Sequence, residues 1–272
     1  MKLKNLGKTY TLDSENNFTL EKDIDLSQEV NNFVDIILDY FRKNINIEIH
    51  SAYLRGSCLE RNVIDKNTMD IDMVIVHENE SFKSHSFLTQ ECSDEIMKIM
   101  KSSYGFSVYP DIGIDHLDFF LDKSRSHLRF LCKKVYGEKD LSILKKSKSE
   151  MISWIDEKYD YWVDKGIFNI RQDKKNINCD VIRSHIKCFF RNLSVRFMIE
   201  NGKFSRGVYE CYKVMVEQYP NYSDDLNDIM NLFLNIEEYS EEKIIMDLNK
   251  IIFISGSVQS KKPYRIKITK RK

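Results

Sequence analysis

Asp70 and Asp72 stand at the head of a short apolar, β-forming run, Ile71–Val76, and no other feature constrains the chain as tightly. Side chains on a strand alternate with a period of two, so both carboxylates project from one face while Ile71 points to the other. Carboxylates at strand ends often serve only as turn formers or solvated groups. A pair on one face can also bridge two cations. Magnesium suits such a pair, because it prefers hard oxygen ligands and completes its shell with water and substrate phosphate. Two ions held a few ångströms apart stabilise both the attacking and the leaving oxygen of an in-line displacement.

What precedes the pair sharpens that expectation. Val30, Phe33, Val34, Ile37, Leu38 and Phe41 recur at three- and four-residue steps, which predicts an amphipathic helix over Ser27–Lys43. A β-rich run, Ile45–Leu54, then ends at Arg55-Gly56-Ser57, where glycine lets the backbone turn sharply. Gly56 permits close approach of a phosphate, and the Ser57 hydroxyl can donate to its oxygens, although Gly-Ser is also an ordinary turn. A polar stretch, Glu60–Thr68, leads to the acidic pair, and a helix is expected over Phe87–Met100.

Two further strands are expected at Phe106–Val108 and Ile112–Leu121, the second interrupted by Asp115, His116 and Asp118. A third carboxylate is needed to complete a metal site and to take a proton from an attacking hydroxyl. On a regular strand Asp115 and Asp118 face opposite ways, so only one of them can join Asp70 and Asp72. Asp115 is preferred, because Leu117, Phe119 and Leu121 on its side can continue as core; Asp118 is the alternative. His116 reads as a hydrogen-bonded structural residue, since magnesium takes oxygen donors.

Past Lys123 the pattern becomes helical, with segments Ser126–Lys134, Glu150–Val163, Val181–Asn201, Ser205–Gln218, Asp224–Leu234 and Glu241–Phe253. The expected domains are 1–140, with the carboxylates, a helical domain 141–254, and a basic tail 255–272 carrying Lys261, Lys262, Arg265, Lys267, Lys270, Arg271 and Lys272. Trp154, Tyr159, Tyr161 and Trp162 read as helical core, or as a stacking surface for an adenine or a sugar. The 42 basic and 42 acidic residues cancel, so no overall field demands nucleic acid or a membrane as partner; nucleic acid stays possible without being required. No run has the length of a signal peptide or a membrane span, and the six cysteines form no Cys-x-x-Cys pair, which together point to a cytoplasmic protein with reduced thiols.

Leu54-Arg-Gly-Ser-Cys-Leu-Glu-Arg-Asn followed by Met69-Asp-Ile-Asp-Met-Val-Ile-Val resembles the Gly-Ser and Asp-x-Asp signature of the polymerase-beta-like nucleotidyltransferase superfamily. The stretch Leu128–Leu141 is similar to the helix and Gly-Glu-Asp segment that precedes the helical domain of bacterial antibiotic adenylyltransferases, here with Lys139 between Glu138 and Asp140. The resemblance implies an α+β fold: a small mixed β-sheet with flanking helices, followed by an all-α domain. It implies that Gly56 and Ser57 hold a triphosphate, that Asp70 and Asp72 bind Mg2+, and that Asp115 or Asp118 is third ligand and base. The reaction implied is transfer of AMP from ATP to an acceptor hydroxyl with release of pyrophosphate, the acceptor being a small molecule such as an aminoglycoside. A protein, RNA or nucleotide acceptor, as in toxin-antitoxin or antiphage members, is the other enzymatic reading, and a nucleotide-binding module with a decayed site is the non-enzymatic one.

Overall fold

The computed structural model describes residues 9–19, 25–45, 47–61, 64, 70–81, 83–175 and 177–260. In chain order its elements begin with β1 (Thr9–Thr11), β2 (Asn17–Thr19), α1 (Gln28–Asn44), β3 (Ile49–Arg55), α2 (Gly56–Arg61), β4 (Asp70–His77) and β5 (His85–Phe87). Next come α3 (Gln90–Tyr104), β6 (Tyr109–His116), α4 (Leu117–Leu121), α5 (Ser126–Phe130), β7 (Cys132–Tyr136) and β8 (Lys145–Ser147). The remainder is α6 (Lys148–Asp173), α7 (Cys179–Glu200), β9 (Lys203–Ser205), α8 (Val208–Gln218), α9 (Ser223–Asn235) and α10 (Glu241–Ser260). The fold is α+β, and the described chain divides into two compact units, residues 17–146 and residues 147–260 with 9–16.

In the first unit five strands form a mixed sheet in the order β5-β6-β4-β3-β7, with β4 and β6 parallel and the other pairs antiparallel. Helix α1 forms where the sequence predicts it. Ser27 caps it by accepting from the Val30 N–H, Glu29 lies in its first turn, and Arg42 and Lys43 lie in its last, each charge matched to the helix dipole. Its stripe of Val30, Phe33, Val34, Ile37, Leu38 and Phe41 packs with Ile96 and Met100 of α3 on Ala52, Leu54, Ile71, Met73, Ile75, Ile112 and Ile114 of the sheet. Each fully buried Val, Leu, Ile, Phe or Met side chain there contributes roughly 1.5–3 kcal/mol. The opposite sheet face gathers Tyr53, Val74, Val76 and Cys132 under Phe120 of α4 and Leu128 of α5.

The expected strand Ile112–Leu121 is two elements. It starts earlier, at Tyr109, and ends at His116, whose Nδ1 accepts the Asp118 N–H at 3.2 Å and so caps α4. Leu117 and Phe120, three apart, then face the same apolar cluster, which is helical spacing. The expected helix Ser126–Lys134 likewise stops at Phe130, and Cys132–Tyr136 pairs with β3 instead. Residues 106–108 form no strand, and His85–Phe87 forms one ahead of α3.

The second unit is built of long helices. Ser147 opens α6 with a capping box, its hydroxyl accepting from the Glu150 N–H while the Glu150 carboxylate accepts from the Ser147 N–H. Buried Met151, Ile155, Tyr159, Val163 and Ile170 form its inward stripe, and Trp154 stacks edge-on against Trp162, with ring centroids 5.3 Å apart. Residues 9–16 join this unit because β1 pairs antiparallel with β9, Thr9 opposite Ser205. Helix α10 runs through Ser255, the expected start of the tail, to Ser260; the cations from Lys261 onward lie outside the described residues, as do Thr68 and Met69. No described helix is long and apolar enough to cross a membrane, and all six cysteines are free thiols.

Candidate active site

Strand register decides which carboxylates meet. In the antiparallel pair β3–β4, Arg55 lies opposite Asp72 and Leu54 opposite Met73. In the parallel pair β4–β6, Asp70 lies beside Tyr109, Asp72 beside Asp111, Val74 beside Gly113 and Val76 beside Asp115. Residues in register share a face, and alternation puts Asp70, Asp72, Asp111 and Asp115 on the face that carries Tyr53, Val74 and Val76. Ile71 turns to the other face and is fully buried there, as the alternation predicts.

Gly56, where β3 gives way to α2, has φ 73°, the left-handed region that favours glycine. A Cβ at this position would stand 1.9 Å from Asp72 Oδ2, so the carboxylate occupies the space a side chain would take. The Arg55 guanidinium stands 3.6 Å from the Asp72 carboxylate. The turn is pinned to the acidic strand by Cys58, whose thiol donates to the Asp70 carbonyl at 3.3 Å. Gly56, Ser57, Asp70 and Asp72 are thus held together by adjoining strand ends and one short turn.

Asp115 and Asp118 are placed elsewhere. Asp115 lies four residues further along β6 than Asp111, fully buried, with Oδ1 2.5 Å from His85 Nδ1 and Oδ2 accepting from Arg125 at 2.9 Å. Arg125 also lies 4.7 Å over the Phe119 ring, on which His85 stacks at 5.7 Å. Both oxygens of Asp115 are therefore committed to an internal ion-pair cluster. Asp118 sits in the first turn of α4 with its side chain 79% exposed. The carboxylate that stands beside Asp72 is Asp111. Beyond the apolar stretch of the same two strands His77 and His116 are register partners with ring centroids 5.6 Å apart, and burial followed by His116 holds His77 below the usual imidazole range.

The chemistry of the donors fits a divalent cation. Asp70, Asp72 and Asp111 offer hard oxygen on one face beside the Gly56 turn. Among the described residues no three His, Cys, Asp or Glu side chains are gathered tightly enough to hold an ion by themselves. Magnesium commonly takes one or two carboxylates and fills its shell with phosphate and water, so the fit does not require a closed protein cage.

No protein-family model and no curated protein sequence matches the chain. Among solved structures, the spectinomycin adenyltransferase AAD(9) from Enterococcus faecialis, determined with ATP and spectinomycin, is similar over 83% of this chain and 98% of its own, at 14% identity and a TM-score of 0.51. A nucleotidyltransferase-like protein from Exiguobacterium sibiricum 255-15 aligns over 84% of this chain and 78% of its own, at 10% identity and a TM-score of 0.29. The likeness to the adenyltransferase shows a shared fold. The proximity of Gly56, Ser57, Asp70 and Asp72 is legible from the sequence because they lie close together along it. The place of Asp111 beside Asp72 is not legible there, because it depends on a parallel register between strands some forty residues apart, which no local pattern encodes.

Proposed function

We propose that this protein transfers AMP from ATP to a hydroxyl of a small-molecule acceptor and releases pyrophosphate. The observation that carries the reading is the common sheet face of Asp70, Asp72 and Asp111 beside the left-handed Gly56 turn. In this reading Gly56 lets the backbone approach the triphosphate, and the Ser57 hydroxyl donates to a phosphate oxygen. Asp70, Asp72 and Asp111 would hold Mg2+, which when bound neutralises phosphate charge and favours the alkoxide of the acceptor. A carboxylate oxygen of Asp111, rather than of Asp115 or Asp118, accepts the proton from the acceptor hydroxyl. The acceptor oxygen forms its bond to the α-phosphorus as the bond to the β-phosphate oxygen breaks, and the electron pair leaves with pyrophosphate. The protein's contribution is positioning and charge compensation, as in other phosphoryl transfers.

A small acceptor is favoured by the likeness to a spectinomycin adenyltransferase across nearly the whole of that enzyme. The test is incubation of the purified protein with α-phosphate-labelled ATP, Mg2+ and a panel of spectinomycin, aminoglycosides and lincosamides. Label should appear in an acceptor together with free pyrophosphate. Absence of labelled product with every member of the panel would rule out the antibiotic acceptors.

A further inference from the structure

Arg55 is the last residue of β3 and shares the sheet face of its register partner Asp72. The two side chains are 25% and 24% exposed and stand 3.6 Å apart, which makes an ion pair but not a hydrogen bond. Among the described residues nothing else holds the guanidinium: it makes no hydrogen bond, and its Nε is buried without a partner. Arg125, on the same face of the sheet, is by contrast anchored by a 2.9 Å bond to Asp115 and by the Phe119 ring. A guanidinium presents five donors in a rigid fork suited to phosphate oxygens, and leaving them unmade in a partly buried place is costly. Arg55 is also the residue next to Gly56 and two from Ser57, the turn proposed to receive the triphosphate.

We propose that Arg55 is a triphosphate-binding residue and, before loading, the counter-ion that Asp72 exchanges for a divalent cation. The inference rests on the function proposed above. Loading with a cation and a nucleotide brings a positive charge to Asp72 and a negative one to Arg55 at the same moment, so both groups change partners and neither is left uncompensated. The pair they give up is loose and partly exposed, the kind that contributes little. Arg55 thereby couples the two ligands: while it stays on Asp72 it competes with the cation, and once the phosphates draw it away that competition is lifted.

The test needs no turnover. Wild type, Arg55→Met and Arg55→Lys are titrated calorimetrically with a non-hydrolysable ATP analogue and Mg2+, and by electron paramagnetic resonance with Mn2+ alone, after each variant's melting temperature is recorded. Arg55→Met should weaken analogue binding about tenfold or more, the loss expected for charge-assisted hydrogen bonds. The same variant should bind Mn2+ alone several-fold more tightly, because the competing cation is gone. Arg55→Lys keeps the charge without the fork and should fall between wild type and Arg55→Met for the analogue, which preserves the test if the methionine variant does not fold. Unchanged analogue affinity in both variants, or weaker Mn2+ binding in step with weaker nucleotide binding, would overturn the inference. Wild-type protein that binds no analogue would overturn the proposed function and this inference together; wild-type binding with unaffected variants overturns this inference alone.

Discussion

Gly56 is the residue on which the site is tightest. An alanine there must hold a φ of 73°, at a cost of about 1–2 kcal/mol, and must also displace the Asp72 carboxylate from a point 1.9 Å away. Gly56→Ala should therefore abolish AMP transfer as well as lower stability. Gly105 supplies the control: its φ is 78° but nothing stands within 4 Å of an added Cβ, so Gly105→Ala should show only the stability loss, with transfer per folded molecule unchanged. Transfer assays beside urea unfolding of both variants separate the two effects. Asp115 shows the opposite separation, because its carboxylate is buried, pairs with Arg125 and is bonded to His85. Breaking a buried pair costs about 3–5 kcal/mol, and because Arg125 and His85 are each about a quarter exposed, Asp115→Asn should fall at or below the lower end of that range in urea unfolding. Asp111→Asn should leave unfolding within about 0.5 kcal/mol of wild type.

Elements with a local signal were legible in the sequence. Helices α1, α7 and α9 follow from apolar residues at three- and four-residue steps, and β4 follows from its apolar run. Short strands were not legible. β5 has three residues, and β7, Cys-Lys-Lys-Val-Tyr, continues the apolar spacing of the helix before it, so only pairing with β3 makes it a strand. Strand β6 runs through Pro110, a residue that argues against a central strand. Pro110 is tolerated because β5 reaches only Gly113–Asp115 on that side. Trimming the strand at Ile112 removed Asp111 from view and carried the expectation on to Asp118, which belongs to α4. The Ser147–Glu150 capping box was not read in the sequence, yet it fixes the start of α6. Ser147→Ala should cost about 1 kcal/mol in chemical unfolding, whereas Ser149→Ala, outside the box, should stay within about 0.5 kcal/mol.

At the scale of the whole molecule, the chain shares its layout with an adenyltransferase at only 14% identity. What this sequence carries is a set of local constraints suited to a mixed sheet: alternation along β4, a glycine at the end of β3, and helices with one apolar stripe each. The proposed function makes nucleotidyl transfer the work of three carboxylates on two parallel strands, and the most direct measurement is the rate of label transfer from α-phosphate-labelled ATP to the acceptor found in the panel, in wild type, Asp72→Asn, Asp111→Asn and Asp118→Asn. A positioned general base contributes about 10²–10⁴-fold, so Asp111→Asn should lose at least about 100-fold, as should Asp72→Asn, with Asp118→Asn within about twofold of wild type. Wild-type rates in Asp111→Asn, or a loss in Asp118→Asn as deep as in Asp72→Asn, would contradict the assignment.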